Sequence, residues 1–376
     1  MTTRTAPLIA LALATSSLAA CGSPGRVEEP PLSEEALAAV TAEPGAPTRP
    51  LARAADDLFT LEGLGETRAL VVYHGGKPAV ERYAPGYDET TRFVSWSMAK
   101  TVTAVMIGML VADGQLRLDA PAPVPRWQRT GDPRAEITLR HLLQMRAGLE
   151  HTEAGDPPYE SGEVRMLFLD GRDDMADYAT AQPLEAEPGE RFEYSSNTTV
   201  ILADIAARAL TDSKDPDERR KAVADYLEAR LFAPLGMTSA VPEFDRAGTL
   251  IGGSLIHATA RDWAKLGELL RNKGSYRGEQ LVPRQWVDEM IEPSPRSPHY
   301  GLQTWLNRPL PEGEEHPLFP DRAPHSAFSL IGHMGQYVFV SPTQKLTVVR
   351  LGHSDREERI AMLRQLADVI ELYPET

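Results

Sequence analysis

Hydrophobic and polar positions along the chain change period several times, and the changes mark the elements. Residues 69–84, ALVVYHGGKPAVERYA, hold two β-rich runs around His74-Gly75-Gly76-Lys77, the pattern of a hairpin. From Ser97 to about Asp113 the chain reads SMAKTVTAVMIGMLVAD, apolar on every side of a helix and stopped by Gly114, so a buried helix is expected. The middle of the chain follows the helical period: Thr138 caps LRHLLQMRA, a helix follows Tyr194, and KAVADYLEARLF forms another. The last third mixes periods, with a helix at ATARDWAKLGELLRN, strands YVFVS and LTVVRL joined by Pro342-Thr343-Gln344, and a final helix at REERIAMLRQLADVIEL.

Strands at both chain ends with helices between them predict an α+β fold. One antiparallel sheet is formed by the two ends and flanked by helices, with an all-α lobe inserted and a site in the cleft between. No internal repeat is visible, so residues 57–376 are read as one domain.

The N-terminus does not fit that domain. MTTRTAPLIALALATSSLAAC has one positive charge at Arg4, an apolar run and small residues before Cys21, the layout of a secretory signal over residues 1–20. Leu18-Ala19-Ala20-Cys21 resembles the bacterial lipoprotein box, which implies lipidation at Cys21 and an exported protein held to a membrane surface by its lipid alone. Residues 21–56 are rich in Pro, Ala and Glu without sustained periodicity, and are read as a tether, with a short helix at SEEALAAV.

Composition narrows the function classes. The formal charge is -15, from 39 Lys plus Arg against 54 Asp plus Glu, with no basic stripe, which argues against a nucleic-acid partner. Cys21 is the one cysteine and the nine histidines lack ligand spacing, so neither a disulfide nor a metal site is expected. No cofactor motif is present.

Against this background Ser97 and Lys100 stand out, three residues apart at the mouth of the apolar helix. A serine hydroxyl needs a base to become a nucleophile, and a helix start offers N–H groups to the oxyanion that forms on attack. A lysine of ordinary pKa, about 10.4, is protonated at neutral pH, but burial lowers that value by roughly 3–5 units. Residues three apart share a helix face, so Lys100 is placed to serve Ser97.

Ser97-Met98-Ala99-Lys100 opening a buried helix resembles the first motif of the serine β-lactamase and penicillin-binding-protein superfamily. Tyr194-Ser195-Ser196 resembles its second motif, and His333-Met334-Gly335, just before a strand, its third. The resemblance implies Tyr194 as a partner of Lys100 in base and acid roles, and Ser196, His333 and Gly335 as substrate-binding residues. It also implies an oxyanion hole from the N–H groups of Ser97 and Gln336. Ser196 stands where lactamases usually carry asparagine, and His333 where they show lysine. Tyr-Ser-Ser resembles instead the branch containing 6-aminohexanoate-dimer hydrolase and related esterases and amidases, and His-x-Gly resembles the DD-peptidase and esterase members. The glutamate of class A deacylation is not recognisable.

The resemblance therefore implies a serine hydrolase that cleaves a small ester, amide or peptide through an acyl-enzyme on Ser97, without cofactor. The alternatives are a true β-lactamase or DD-peptidase, and a lipid-anchored binding or sensing module that is acylated without turnover. No Gly-x-Ser-x-Gly elbow and no His-Glu-x-x-His occurs, so an α/β-hydrolase triad and a zinc protease have no support.

Overall fold

The hairpin forms where the sequence placed it. Strand β1 (Glu66–His74) turns through Gly75 and Gly76, both at positive φ, into β2 (Lys77–Tyr83). The computed structural model describes Thr2 and residues 31–310 and 317–376, so the signal segment and Cys21 lie outside the described residues. Four further strands complete an antiparallel sheet: β3 (Trp305–Leu306), β4 (Phe328–Gly332), β5 (Gln336–Ser341) and β6 (Leu346–His353).

The strand order is β2-β1-β6-β5-β4-β3, and the join between the chain ends runs from Glu66 opposite His353 to His74 opposite Leu346. Val71, Val72, Val338, Val349 and Leu351 are fully buried, because helices cover the sheet. One cover is α4 (Ala260–Arg271), which is capped by Thr259 and presses Gly267 against Thr347 and Val338. A Cβ on Gly267 would come 2.5 Å from Thr347 Cγ2, so only glycine allows this approach. The other is α5 (Arg356–Glu371), started by an Asp355 capping box.

Between β2 and β3 lies the inserted lobe. It contains α1 (Ala99–Ala112), α2 (Gly162–Phe168) and α3 (Ser196–Leu210), with shorter helices at Leu139–Leu143 and Met175–Ala181 and a longer one at Pro216–Leu227. The α+β reading is therefore correct, with helices and one antiparallel sheet from both ends. A small three-stranded sheet, Phe93–Val94, Ile256–Ala258 and Val241–Pro242, ties the entry and exit of the lobe together.

One boundary needs correction. Residues 33–56 are part of the folded unit, which spans Ser33–Thr376. Ser33 caps a helix at Glu34–Ala38, and a second helix at Thr48–Thr60 buries Leu51, Ala52, Ala55 and Leu58. Backbone bonds from Thr41 to Ala79 and from Glu81 to Ala39 pair the segment with β2, the sheet edge. The Pro and Gly content hid this packing, because the apolar face of TRPLARAADDLFT is short and made largely of alanine.

Candidate active site

Ser97 lies in a single 3₁₀ turn, Trp96–Met98, that leads directly into α1. Trp96 is held at φ 45°, in the left-handed region that costs a bulky residue about 1–3 kcal/mol. The turn is fixed from below by Ser95, whose N–H donates to Ile256 O and whose Oγ accepts from Ile256 N. From the side it meets the end of β4: a Cβ on Gly332 would sit 2.3 Å from Ser95 O. The sheet and the lobe thus meet at the serine. Ser97 itself remains partly exposed.

Lys100 is 1% exposed. Its Nζ donates to Ser97 Oγ at 3.0 Å, Ser196 Oγ at 2.8 Å and Gly253 O at 2.9 Å. Three acceptors satisfy the three protons of an ammonium, but the neutral amine fits as well, with its lone pair turned to the Ser97 hydroxyl. Burial pushes the Lys100 pKa below its ordinary value, against the opposing charges of Glu153 and Glu163.

Tyr194 completes the triangle. Its ring lies 4.9 Å from Lys100 Nζ, and its hydroxyl reaches Ser97 and Trp305. Burial, reinforced by the charge of Glu153, raises its pKa well above 10, and the bond from Ser97 only partly offsets this. The sequence reading gave Tyr194 both base and acid roles. The electrostatics of this site favour the neutral phenol, a proton donor. Tyr194 is held by Tyr300 and Trp305, which with Phe192 and His299 form an aromatic wall.

Ser196 is brought to the site but is wholly buried, so it does not face a substrate as the resemblance implied. It accepts from Lys100 and donates to Glu153 Oε1 at 2.7 Å, while Glu163 Oε1 lies 3.1 Å away. Glu153 also accepts from Ser196 N at 2.8 Å and pairs with His151 Nε2 at 2.6 Å, with Lys100 Nζ at 3.8 Å. Burial alone would raise the Glu153 pKa, but Lys100, His151 and Ser196 together hold it below the ordinary value. Burial and the charge of Glu153 push Glu163 up to about 7.

Sequence reasoning missed both carboxylates, since they lie in a loop and on α2, more than fifty residues after Lys100 and outside any motif. Glu163 itself sits in the first turn of α2, behind the Ser161 cap.

The third motif is distributed differently from the expectation. His333, Met334 and Gly335 form the turn between β4 and β5, with Met334 at φ 59° and Gly335 at φ 80°. His333 is exposed and packs edge-on against Trp96, at 5.4 Å between centroids, beside Ser97. The carbonyl of Gly335 accepts from Arg350.

Gln336 belongs to β5, which is flanked by β4 and β6, and pairs with Gly332. Its side chain is spent on His333 O, Met334 O and Gly352. β4 meets the turn that carries Ser97 through Gly332, against Ser95 O, and Gln336 opens the neighbouring strand. The sequence reading had no strand at FSLIG, because a five-residue apolar run has no period of its own.

Residues 66–371 match the Beta-lactamase family. The chain belongs to that family. The 6-aminohexanoate-dimer hydrolase of Paenarthrobacter ureafaciens is 25% identical over 233 residues, covering 60% of this chain and 57% of that protein. Esterase EstB of Burkholderia gladioli is 30% identical over 172 residues, 41% of each chain. The matches thus span about half the length of these two curated relatives. Among solved structures, a family VIII carboxylesterase shares the fold with a TM-score of 0.62 at 16% identity, covering 87% of this chain and 98% of its own.

This β-lactamase-family chain carries no group of His, Cys, Asp and Glu suited to a metal ion among its described residues. What its site can do follows from Ser97, Lys100 and Tyr194: supply a nucleophile, accept its proton, and donate one to a leaving group.

Proposed function

We propose that the protein is a serine hydrolase that cleaves a small ester or amide through an acyl-enzyme on Ser97. The observation that carries this reading is the 3.0 Å contact between Ser97 Oγ and a fully buried Lys100 Nζ, with the Tyr194 hydroxyl in reach of the same serine. Lys100 in its neutral form takes the Ser97 proton as Oγ attacks the carbonyl carbon, and an N–H at the start of the turn faces the oxyanion. Tyr194 gives its proton to the departing alcohol or amine and recovers one from Lys100. A water then attacks the acyl-serine by the same groups in reverse.

The names of the two curated relatives, an esterase and a 6-aminohexanoate-dimer hydrolase, support this substrate class over a dedicated β-lactamase, as do Ser196 and His333 at motif positions where lactamases usually carry Asn and Lys. Residues 1–21 support export and lipid attachment at Cys21 as part of the same proposal.

A fluorescent acyl-phosphonate probe tests the nucleophile: wild type is labelled, and Ser97→Ala is not. Equal labelling of both would overturn the proposal. With a p-nitrophenyl ester, repeated turnovers are expected; one stoichiometric burst would identify a binding or sensing protein instead.

A further inference from the structure

The two carboxylates behind Lys100 pose a counting problem at Ser196. A serine hydroxyl has one proton and two lone pairs, and Ser196 Oγ has three polar neighbours at 2.7–3.1 Å: Lys100, Glu153 and Glu163. Lys100 donates into one lone pair, and the hydroxyl proton points to the closer carboxylate, Glu153. Glu153 has the acceptor surroundings of an ionised group, receiving Ser196 N and His151 Nε2 besides. The second lone pair of Ser196 then faces Glu163 Oε1, and two acceptors do not attract each other. The contact is favourable only when Glu163 carries a proton and donates it.

We propose that Glu163 is a positioning residue whose carboxyl proton, donated to Ser196 Oγ, keeps a second negative charge away from Lys100 and so lets that lysine act as a base. The inference rests on the hydrolase reading above and deepens it. The groups facing Glu163 are Ser196 on α3, Glu153 and His151 in the loop after Leu149, Lys100 on α1, and Ser254, whose Oγ lies 3.5 Å from Oε1. Among these groups Lys100 and His151 are the ones able to carry positive charge. When Glu163 loses its proton to solvent, Lys100 faces two carboxylates, its ammonium form gains, and less neutral amine is available to Ser97. The raised pKa of Glu163 agrees with this arrangement.

The test is the pH dependence of Ser97 acylation by the phosphonate probe in wild type and Glu163→Gln. In wild type the acid limb is broadened, because the charge Glu163 gains on losing its proton opposes loss of the proton from Lys100. In Glu163→Gln the limb sharpens and moves at least about half a pH unit lower, since the opposing charge never appears. A limb that keeps its midpoint while the rate falls at every pH shows a packing role only, and overturns the proposal.

Should the variant not fold, or the probe not label Ser97, carbon-13 NMR of glutamate-labelled wild type decides. A glutamate carboxyl titrating near neutrality that shifts in Lys100→Ala is expected. Glutamates that are unaffected by Lys100→Ala, or that all titrate near the ordinary value of about 4.3, overturn it. Absence of labelling with a shifted NMR titration removes the hydrolase reading and leaves the proton on Glu163 standing as a local fact of the site.

Discussion

Lys100 and Arg350 are both buried cations, 1% and 0% exposed, and the fold treats them in opposite ways. Arg350, on β6, donates to Thr67 Oγ1, Gly335 O, Glu66 O and Ser354 Oγ at 2.8–3.1 Å, and none of these is a carboxylate. It thereby clamps β1, β6 and the turn after β4 in one place. Burial lowers its pKa only to about 10, so it stays charged at neutral pH. Lys100 has as complete a set of contacts, but one is the hydroxyl that must lose a proton in the proposed reaction, and an amine can release its own. Burial by itself does not make a base. What matters is whether the buried group can change charge and whether a partner benefits when it does.

Breaking the two cations separates these roles. Lys100→Ala is expected to lower kcat/KM on a p-nitrophenyl ester by about a thousandfold or more, because neither base nor proton route remains. Its effect on unfolding in urea should be much smaller than its effect on rate, since it removes a desolvated charge along with its contacts.

Arg350→Met should do the reverse: a loss of about 3 kcal/mol in urea unfolding, from two carbonyls and two hydroxyls left without a donor. Its acylation rate, measured well below the unfolding midpoint, should stay within tenfold of wild type. A catalytic loss as deep as that of Lys100→Ala would erase the contrast.

Tyr194→Phe sharpens the comparison further. Turnover should fall about a hundredfold on an amide, and less on an activated ester whose leaving group needs no proton, while stability changes little because the ring contacts remain. The smallest effect is on stability through Glu163. Its folded-state pKa is raised, so its contribution is full below about pH 4.5 and is lost as pH rises through about 7. Glu163→Gln should therefore gain on the order of 2 kcal/mol relative to wild type between acid and slightly alkaline pH, read from urea unfolding at several pH values.

Local patterns carried much of the fold and part of the site. The β1–β2 hairpin followed from two β-rich runs around Gly-Gly, α1 from an unbroken apolar stretch, and α4 and α5 from their helical periods. Ser97 and Lys100 were legible together because one helix turn brings them into contact, a geometry that needs nothing from the rest of the chain. Tyr194 was legible as a motif, yet its high pKa was not, since that depends on Glu153 and on the aromatic residues that enclose it. Spacing along the chain could not show that Gly332, at the end of β4, would meet the turn that carries Ser97, because that contact is made across the sheet.

The sequence by itself determined the β1–β2 hairpin, α1, α4 and α5, the joining of the chain ends in one sheet, and the serine with its lysine, because each rests on interactions within a few residues or on burial of a periodic apolar face. The tertiary structure decided the rest. It placed Gly332 against Ser95, sank Ser196 beneath Lys100, and brought Glu153 and Glu163 to one hydroxyl from different elements. Those contacts set the charges around the lysine, and charge at a buried site is a property of everything packed against it, which no single stretch of sequence contains.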